Sequence, residues 1–158
     1  MRMTAHTDYA LRMLIHLAVF KGRPHTVNDV AETFGLSRNH LLKVAYNLRK
    51  MELVHAVRGR SGGISLAIPA TDINIGSVIR RMEEDFSVVE CLQRDGGACL
   101  ISPACRLKAI AAEALEAYLR VFDSYTLADL VRNESALAAL LGDGKNGPSA
   151  RALPEYLD

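Results

Sequence analysis

Residues 26 to 51 read TVNDVAETFGLSRNHLLKVAYNLRKM, and the way this stretch divides decides the fold. Thr26 with Asp29 three residues on is a capping-box pattern that opens a short helix ending at Phe34. Gly35 and Leu36 form a tight break, and Ser37 is a good N-cap for a further helix running to about Met51. Along it Leu41, Val44, Ala45 and Leu48 recur at i, i+3, i+4 and i+7, a stripe to be buried, while Asn39, Lys43, Asn47 and Lys50 take the other face. A short helix, a glycine-containing turn and a second helix with a polar outward face make a helix-turn-helix, whose second helix enters the major groove of DNA.

Two amphipathic helices around a glycine also occur in plain helical bundles, so the flanks decide. Residues 53 to 68 read LVHAVRGRSGGISLAI, in which Val54–Val57 and Ile64–Ile68 favour strands and RGRSGG supplies a doubly basic turn. A hairpin directly after a helix-turn-helix is a winged-helix arrangement, with Arg58 and Arg60 placed to reach phosphate or a minor groove. Upstream, Tyr9, Met13, Leu17 and Phe20, with Ala10 and Leu14, follow helical spacing over about 8–20, and Gly22 and Pro24 end that helix.

Downstream of Pro69, Ile75, Val78, Ile79 and Met82 line one face of a helix over about 75–85. A long alanine-rich helix spans about 105–123, with Leu107, Ile110, Ala111, Ala114, Tyr118 and Val121 along one side. Such a stripe packs on another helix, and in a regulator the natural partner is a second copy across a two-fold axis. Thr126 with Asp129 caps a final helix through Val131, and the Gly/Pro/Ser-containing residues beyond Leu141 read as a mobile tail.

The composition, 49% hydrophobic and 23% charged over 158 residues, is that of a globular chain rather than a disordered one. Asp8, Arg12 and His16 interrupt the apolar run of the first twenty residues, and no later stretch approaches ~18 apolar residues, so a soluble cytoplasmic protein without a membrane partner is expected. Net charge is +1, but residues 1–60 carry ten Lys/Arg against four Asp/Glu while residues 61–158 carry nine against fourteen. The basic half is the one suited to a polyanion. An enzyme is not expected, since no nucleophile-base pair, phosphate-cradling loop or hydrolytic metal motif occurs, and Ser61 to Gly63 is adequately explained as a turn.

Every cysteine lies in residues 91–105, CLQRDGGACLISPAC, with seven residues between Cys91 and Cys99 and five between Cys99 and Cys105. Thiolates are soft ligands that suit zinc, copper(I) or iron-sulfur clusters, and the absence of a C-x2-C or C-x4-C pair disfavours zinc. A thiol redox switch and simple packing are the alternatives. All five histidines, His6, His16, His25, His40 and His55, precede residue 56, so no local histidine completes the set. Carboxylates are available nearby in Glu83, Glu84, Asp85, Glu90 and Asp95, and at a distance in Asp8, which also reads simply as a first-turn acid favoured by the helix dipole.

HTDYALR at 6–12, GLSRNHLLKV at 35–44, VRGRSGGISL at 57–66, ISPACRLKA at 101–109 and YTLADLV at 125–131 closely resemble the nitric-oxide-sensing repressors of the NsrR type. These belong to the winged-helix regulator family that also contains the iron-sulfur regulator IscR and the iron regulator RirA. The resemblance runs from residue 1 to about 141. It implies a homodimeric repressor of nitric-oxide detoxification genes that binds a double-stranded operator and holds one iron-sulfur cluster per subunit on Cys91, Cys99 and Cys105. The implied cluster is [4Fe-4S], with [2Fe-2S] as the alternative. It further implies an aspartate ligand from the first helix of the other subunit, and Asp8 stands in the matching position. IscR-like members place a histidine three residues past the last cysteine, where this chain has Lys108.

The seven-residue spacing between the first two cysteines is nearer to the iron-responsive branch, so iron or cluster status in the manner of RirA or IscR is the rival signal. A winged-helix protein-interaction module that senses nothing is the rival class. The expected architecture is mainly α with a small β-hairpin wing. It comprises a winged helix-turn-helix domain over 1–70, a cluster-binding loop and dimerisation helices over 71–141, and a flexible tail over 142–158. Ser37, Arg38, Asn39, His40 and Lys43 at the start of the recognition helix, with Arg58 and Arg60 on the wing, are the expected DNA contacts.

Overall fold

The computed structural model of the chain describes residues 3–59, 62–93 and 97–142. Among these the fold is mainly helical with one two-stranded sheet. Helix α1 (Ala5–Val19) starts three residues before the apolar spacing does, because Thr4 caps it by accepting from the Thr7 amide. Helix α2 (Val27–Phe34) carries the full capping box, Asp29 N–H to Thr26 Oγ1 at 3.0 Å and Thr26 N–H to Asp29 Oδ2 at 2.8 Å. Gly35, at φ 63°, closes it in the left-handed region and donates back to the last-turn carbonyls. Helix α3 (Arg38–Lys50) follows with Ser37 at its N-cap position, although the Ser37 side chain makes no capping bond.

The expected stripe is the core. Leu41, Val44 and Leu48 of α3 are fully buried with Met13 and Leu14 of α1 and Val30 of α2. Helix α1 is the hub, lying against α3, the wing and the later helices. Strands β1 (Val54–Val57) and β2 (Gly63–Leu66) pair antiparallel from Val54 opposite Leu66 to Val57 opposite Gly63. The second strand stops before Ala67, leaving Ile68 outside the ladder and exposed, because the chain turns at Pro69 into a short 3-10 segment. Ile64 also exchanges backbone hydrogen bonds with His25, at 2.7 and 3.0 Å, which fastens the turn end of the hairpin to the α1–α2 connection.

Helix α4 (Ile75–Met82), capped by Asn74, buries Ile75, Val78, Ile79 and Met82 and ends three residues sooner than expected, where Glu83 turns extended. Helix α5 (Arg106–Asp123) is anchored at its C-terminal end. Asp123 pairs with Arg80 of α4, its carbonyl accepts from Asn74 at 2.7 Å, and Gly76 is the residue that lets the two backbones meet there. Its inner face is Ala111 and Leu119 with Leu115, whereas Leu107, Ile110, Tyr118 and Val121 are exposed. Of the residues expected to meet another helix, Leu107, Ile110, Ala114, Tyr118 and Val121 face outward from this chain, whereas Ala111 is buried within it.

Helix α6 (Leu127–Leu130) has the expected Thr126/Asp129 capping box and is a single turn. Helix α7 (Glu134–Leu141) follows, beyond the last expected helix, with Asn133 at its N-cap position making no side-chain bond. Residues 143–158, the greater part of the expected tail, lie outside the described residues. Among the described residues no helix is long and apolar enough to cross a membrane.

Candidate nucleic-acid interface and cysteine site

The polar face of α3 stands clear of the core, except that Asn47, expected on it, is half-buried and turned to His6 of α1. Ser37, Arg38, Asn39, His40 and Lys43 are all exposed, as expected for groups that meet base edges and phosphates. The outermost ridge runs Asn39, Lys43, Tyr46 and Lys50, and the last two are coupled, with the Lys50 ammonium 5.1 Å from the Tyr46 ring centre. Tyr46 is 57% exposed, a large aromatic surface on the same side as the expected contacts. Only its position three residues after Lys43 pointed to it in the sequence.

Arg58 is exposed just beyond β1, while Arg60 lies outside the described residues. Ion pairs among the described residues engage Arg12, Lys21, Arg80 and Arg132, none of them on α3 or the wing. Arg38, Lys43, Arg49, Lys50 and Arg58 thus remain available to an external polyanion. Each phosphate contact contributes about 0.9 to the slope of log K against log salt. Replacing Arg58 with alanine is expected to weaken binding to duplex DNA modestly and to lower that slope by about 1 in titrations across a salt series. An unchanged slope would remove Arg58 from the interface.

The three cysteines are free thiols at the foot of α5. Cys91 is buried in a one-turn 3-10 helix, Cys99 is half-buried in the following loop, and Cys105 is the half-buried residue preceding the first turn of α5. The loop doubles back on itself. Gly97 takes φ 62° where an added Cβ would stand 2.7 Å from the Glu90 carbonyl oxygen, and Ala98 N–H donates to Glu90 Oε1 at 2.8 Å. Glu90 is thereby committed to holding the loop. Glu83 accepts from the Thr4 amide at 2.7 Å, and Asp85 accepts from Ser87 at 2.8 Å. Asp95 lies outside the described residues.

The chemistry of this donor set suits a thiolate-bound iron-sulfur group, being three free thiols with no imidazole beside them and most neighbouring carboxylates already engaged. Among the described residues of one chain, no three His, Cys, Asp or Glu side chains come close enough to hold a metal ion. Asp8, on the first turn of α1, is half-exposed and paired with Arg12 at 2.8 Å. An exposed i, i+4 pair of this kind is worth only ~0.5 kcal/mol, so Asp8 is easily released to another partner.

One polar feature escaped the sequence entirely. His16 of α1 and His25 are buried against each other, Nε2 to Nδ1 at 3.2 Å, beneath the rings of Phe20 and Phe34. Their outer nitrogens, His16 Nδ1 and His25 Nε2, have no hydrogen-bond partner among the described residues. Burial, reinforced by His25, lowers the His16 pKa to about 4. Burial and the neighbouring Arg23 lower that of His25 in the same direction.

Comparison with known proteins places these features in context. Residues 3–133 match the model of the Rrf2 family, described as an iron-dependent transcriptional regulator. The chain is 48% identical over 142 residues to the HTH-type transcriptional regulator NsrR of Bacillus subtilis, spanning 89% of this chain and 97% of that protein. It is 46% identical over the same length to NsrR of Halalkalibacterium halodurans, again covering 89% and 97%. Among solved structures, IscR of T. potens superposes with TM-score 0.66 at 30% identity, covering 84% of this chain and 88% of that one. CymR, the global cysteine regulator of B. subtilis, superposes with TM-score 0.68 at 28% identity, covering 84% and 98%.

Proposed function

Because this chain belongs to the Rrf2 family of transcriptional regulators and not to an enzyme family, we propose that it is a cytoplasmic homodimeric repressor that carries an iron-sulfur cluster and senses nitric oxide. The observation that carries this reading is the set of three free thiols at the foot of α5, in a chain 48% identical to NsrR. Cys91, Cys99 and Cys105 would hold the cluster as thiolates, with Asp8 of a second copy as the fourth, oxygen ligand. The bound cluster supplies iron that reacts with nitric oxide.

The protein's own residues account for the rest. Leu107, Ile110, Tyr118 and Val121 form the apolar face by which two copies would join. In the dimer the two α3 helices must match half-sites about one DNA turn, ~34 Å, apart. Asp8 exchanges its Arg12 partner for the neighbouring subunit, and the position of α1, on which α3 packs, follows that exchange. Ser37, Arg38, Asn39, His40, Lys43, Arg58 and Arg60 supply the DNA contacts. A difference of a few kcal/mol between the two arrangements of α1 is sufficient to change operator occupancy tenfold or more.

A second reading keeps the regulator and changes its signal to iron or cluster supply. The seven-residue spacing between Cys91 and Cys99 and the family description favour it. Anaerobic purification is expected to give a brown protein with about four iron and four sulfide per chain, the content of one [4Fe-4S] cluster. Release of DNA by nitric oxide but not by chelation supports the first reading, and the reverse supports the second. A chain isolated anaerobically without iron overturns both. For Asp8→Ala the expected outcome is a cluster that assembles but responds differently to nitric oxide or DNA; spectra, lifetime and response identical to wild type would remove Asp8 from the ligand set.

A further inference from the structure

We propose that His6 is a positioning residue for DNA binding: through one hydrogen bond to Asn47 it fixes the rotation of α3 about its own axis, and hence which side chains face the major groove. The Asn47 side-chain amide lies 2.9 Å from His6 Nε2 and donates to it, joining the first turn of α1 to the second half of α3. The proposal deepens the assignment of α3 as the DNA-facing helix and rests on it.

Elsewhere α1 meets α3 mainly through apolar residues, Ala10, Met13, Leu14 and Leu17 on one side and Leu41, Val44, Ala45 and Leu48 on the other, with the rings of Tyr9 and His40 6.4 Å apart at the edge. Burial of this kind is non-directional and tolerates small rotations, whereas a hydrogen bond is confined to a narrow range of length and angle. With side-chain tips about 5–6 Å from the helix axis, a rotation of about 10° displaces them by about 1 Å. That exceeds the bond's tolerance, so the bond resists the rotation. Asn47 directly follows Tyr46 and lies one turn beyond Lys43, the middle of the outward ridge.

The bond also stands alone. It borders an open cleft of about 550 Å³ lined by Leu42, Lys43, Tyr46 and Glu84, apart from the buried α1–α3 core. His6 is itself held through Thr4, two residues before it. The chain before it is tied to the end of α4 by the Thr4 amide and Glu83 Oε1 at 2.7 Å, and Thr4 caps the turn in which His6 sits.

The test uses the full chain and a duplex that the wild-type protein recovers from a randomised pool. One hydrogen bond worth about 1 kcal/mol corresponds to about a fivefold change in Kd. His6→Ala and Asn47→Ala are each expected to weaken binding about fivefold, and the double variant to bind no worse than either single. The preference for the recovered duplex over random sequence should fall, the thermal midpoint should drop by no more than the few degrees one hydrogen bond is worth, and His6→Gln, which retains an acceptor, should restore binding. Losses that multiply to about twenty-five-fold, or His6→Ala binding as tightly as wild type, would overturn the latch and leave α3 as the DNA-facing helix. Lys43→Ala examines that assignment separately: no change in its affinity or salt slope would overturn both.

Discussion

Between pH 6.5 and pH 4 the folded protein is expected to lose about 3 kcal/mol of stability through His16 alone. The unfolded chain takes up a proton on this residue near 6.5, while the folded chain keeps the ring neutral down to about 4. In that window the unfolded state binds more protons, so stability rises with pH, is complete above 6.5 and drains away as the pH falls. The slope inside the window is about 1.4 kcal/mol per pH unit, because one proton separates the two states. His25, shifted in the same direction, adds to it. Asp29 beside His16 opposes the shift and Arg23 assists it, and burial outweighs both. Asp123 and Asp129, whose carboxyls are held below their ordinary value by Arg80 and by Thr126, lose their contribution only below about 3.8, so they do not mask the histidine. Urea unfolding at pH 7, 6 and 5 is the measurement, and His16→Leu should remove most of the slope. Equal stability at pH 7 and pH 5 in the wild-type chain would contradict the buried neutral pair.

Gly63→Ala is expected to cost about 3 kcal/mol of stability and, with it, most of the wing's contribution to DNA binding. A Cβ at residue 63 would stand 2.5 Å from the His25 carbonyl oxygen and 2.6 Å from its carbonyl carbon. Both are backbone atoms, with no flexible end that could swing away. The clash falls where His25 and Ile64 exchange their two hydrogen bonds. Forcing a methyl into such a site costs 1–3 kcal/mol, and separating the pair forfeits about 1 kcal/mol for each bond lost. Thermal unfolding and DNA titration of Gly63→Ala check the two halves. A midpoint within a degree of wild type would mean that the strand can shift at no cost. Gly22→Ala is the control, since nothing lies within 4 Å of its added Cβ.

The helix-turn-helix was legible because its signals are local. A capping box, a glycine able to take positive φ and a four-point apolar stripe each act within one or two turns, and all three appear where Thr26, Gly35 and Leu41 to Leu48 placed them. The wing was legible for the same reason, except at Ile68, where β-propensity yielded to the turn before Pro69. Helix α7 was not, since it follows the single turn of α6 after only three residues, with no glycine or proline between them. Helix α5 carries two apolar stripes, and periodicity alone does not say which meets its own chain; Leu115 and Leu119 do, and the stripe through Leu107, Ile110, Tyr118 and Val121 does not.

The cysteines were legible as a group, while the fold of their loop depends on Glu90 reaching Ala98. Pairs distant in sequence were invisible. His6 and Asn47 are separated by 41 residues, and His16 read as a polar interruption of an apolar helix, although the tertiary fold buries it completely.

Helix α5 is mechanically a beam gripped most firmly at one end. Asn74, Gly76 and Arg80 grip it around Asp123, whereas its opposite end, some seventeen residues away at Arg106, begins at Cys105 and exposes Leu107 and Ile110. At 1.5 Å per residue that is a lever arm of roughly 25 Å. The cysteine end is thereby connected to α4 through Asp123, and α4 lies directly against α1. The thiols and the hub on which the recognition helix sits are thus joined through a single helix and its one firm grip on α4.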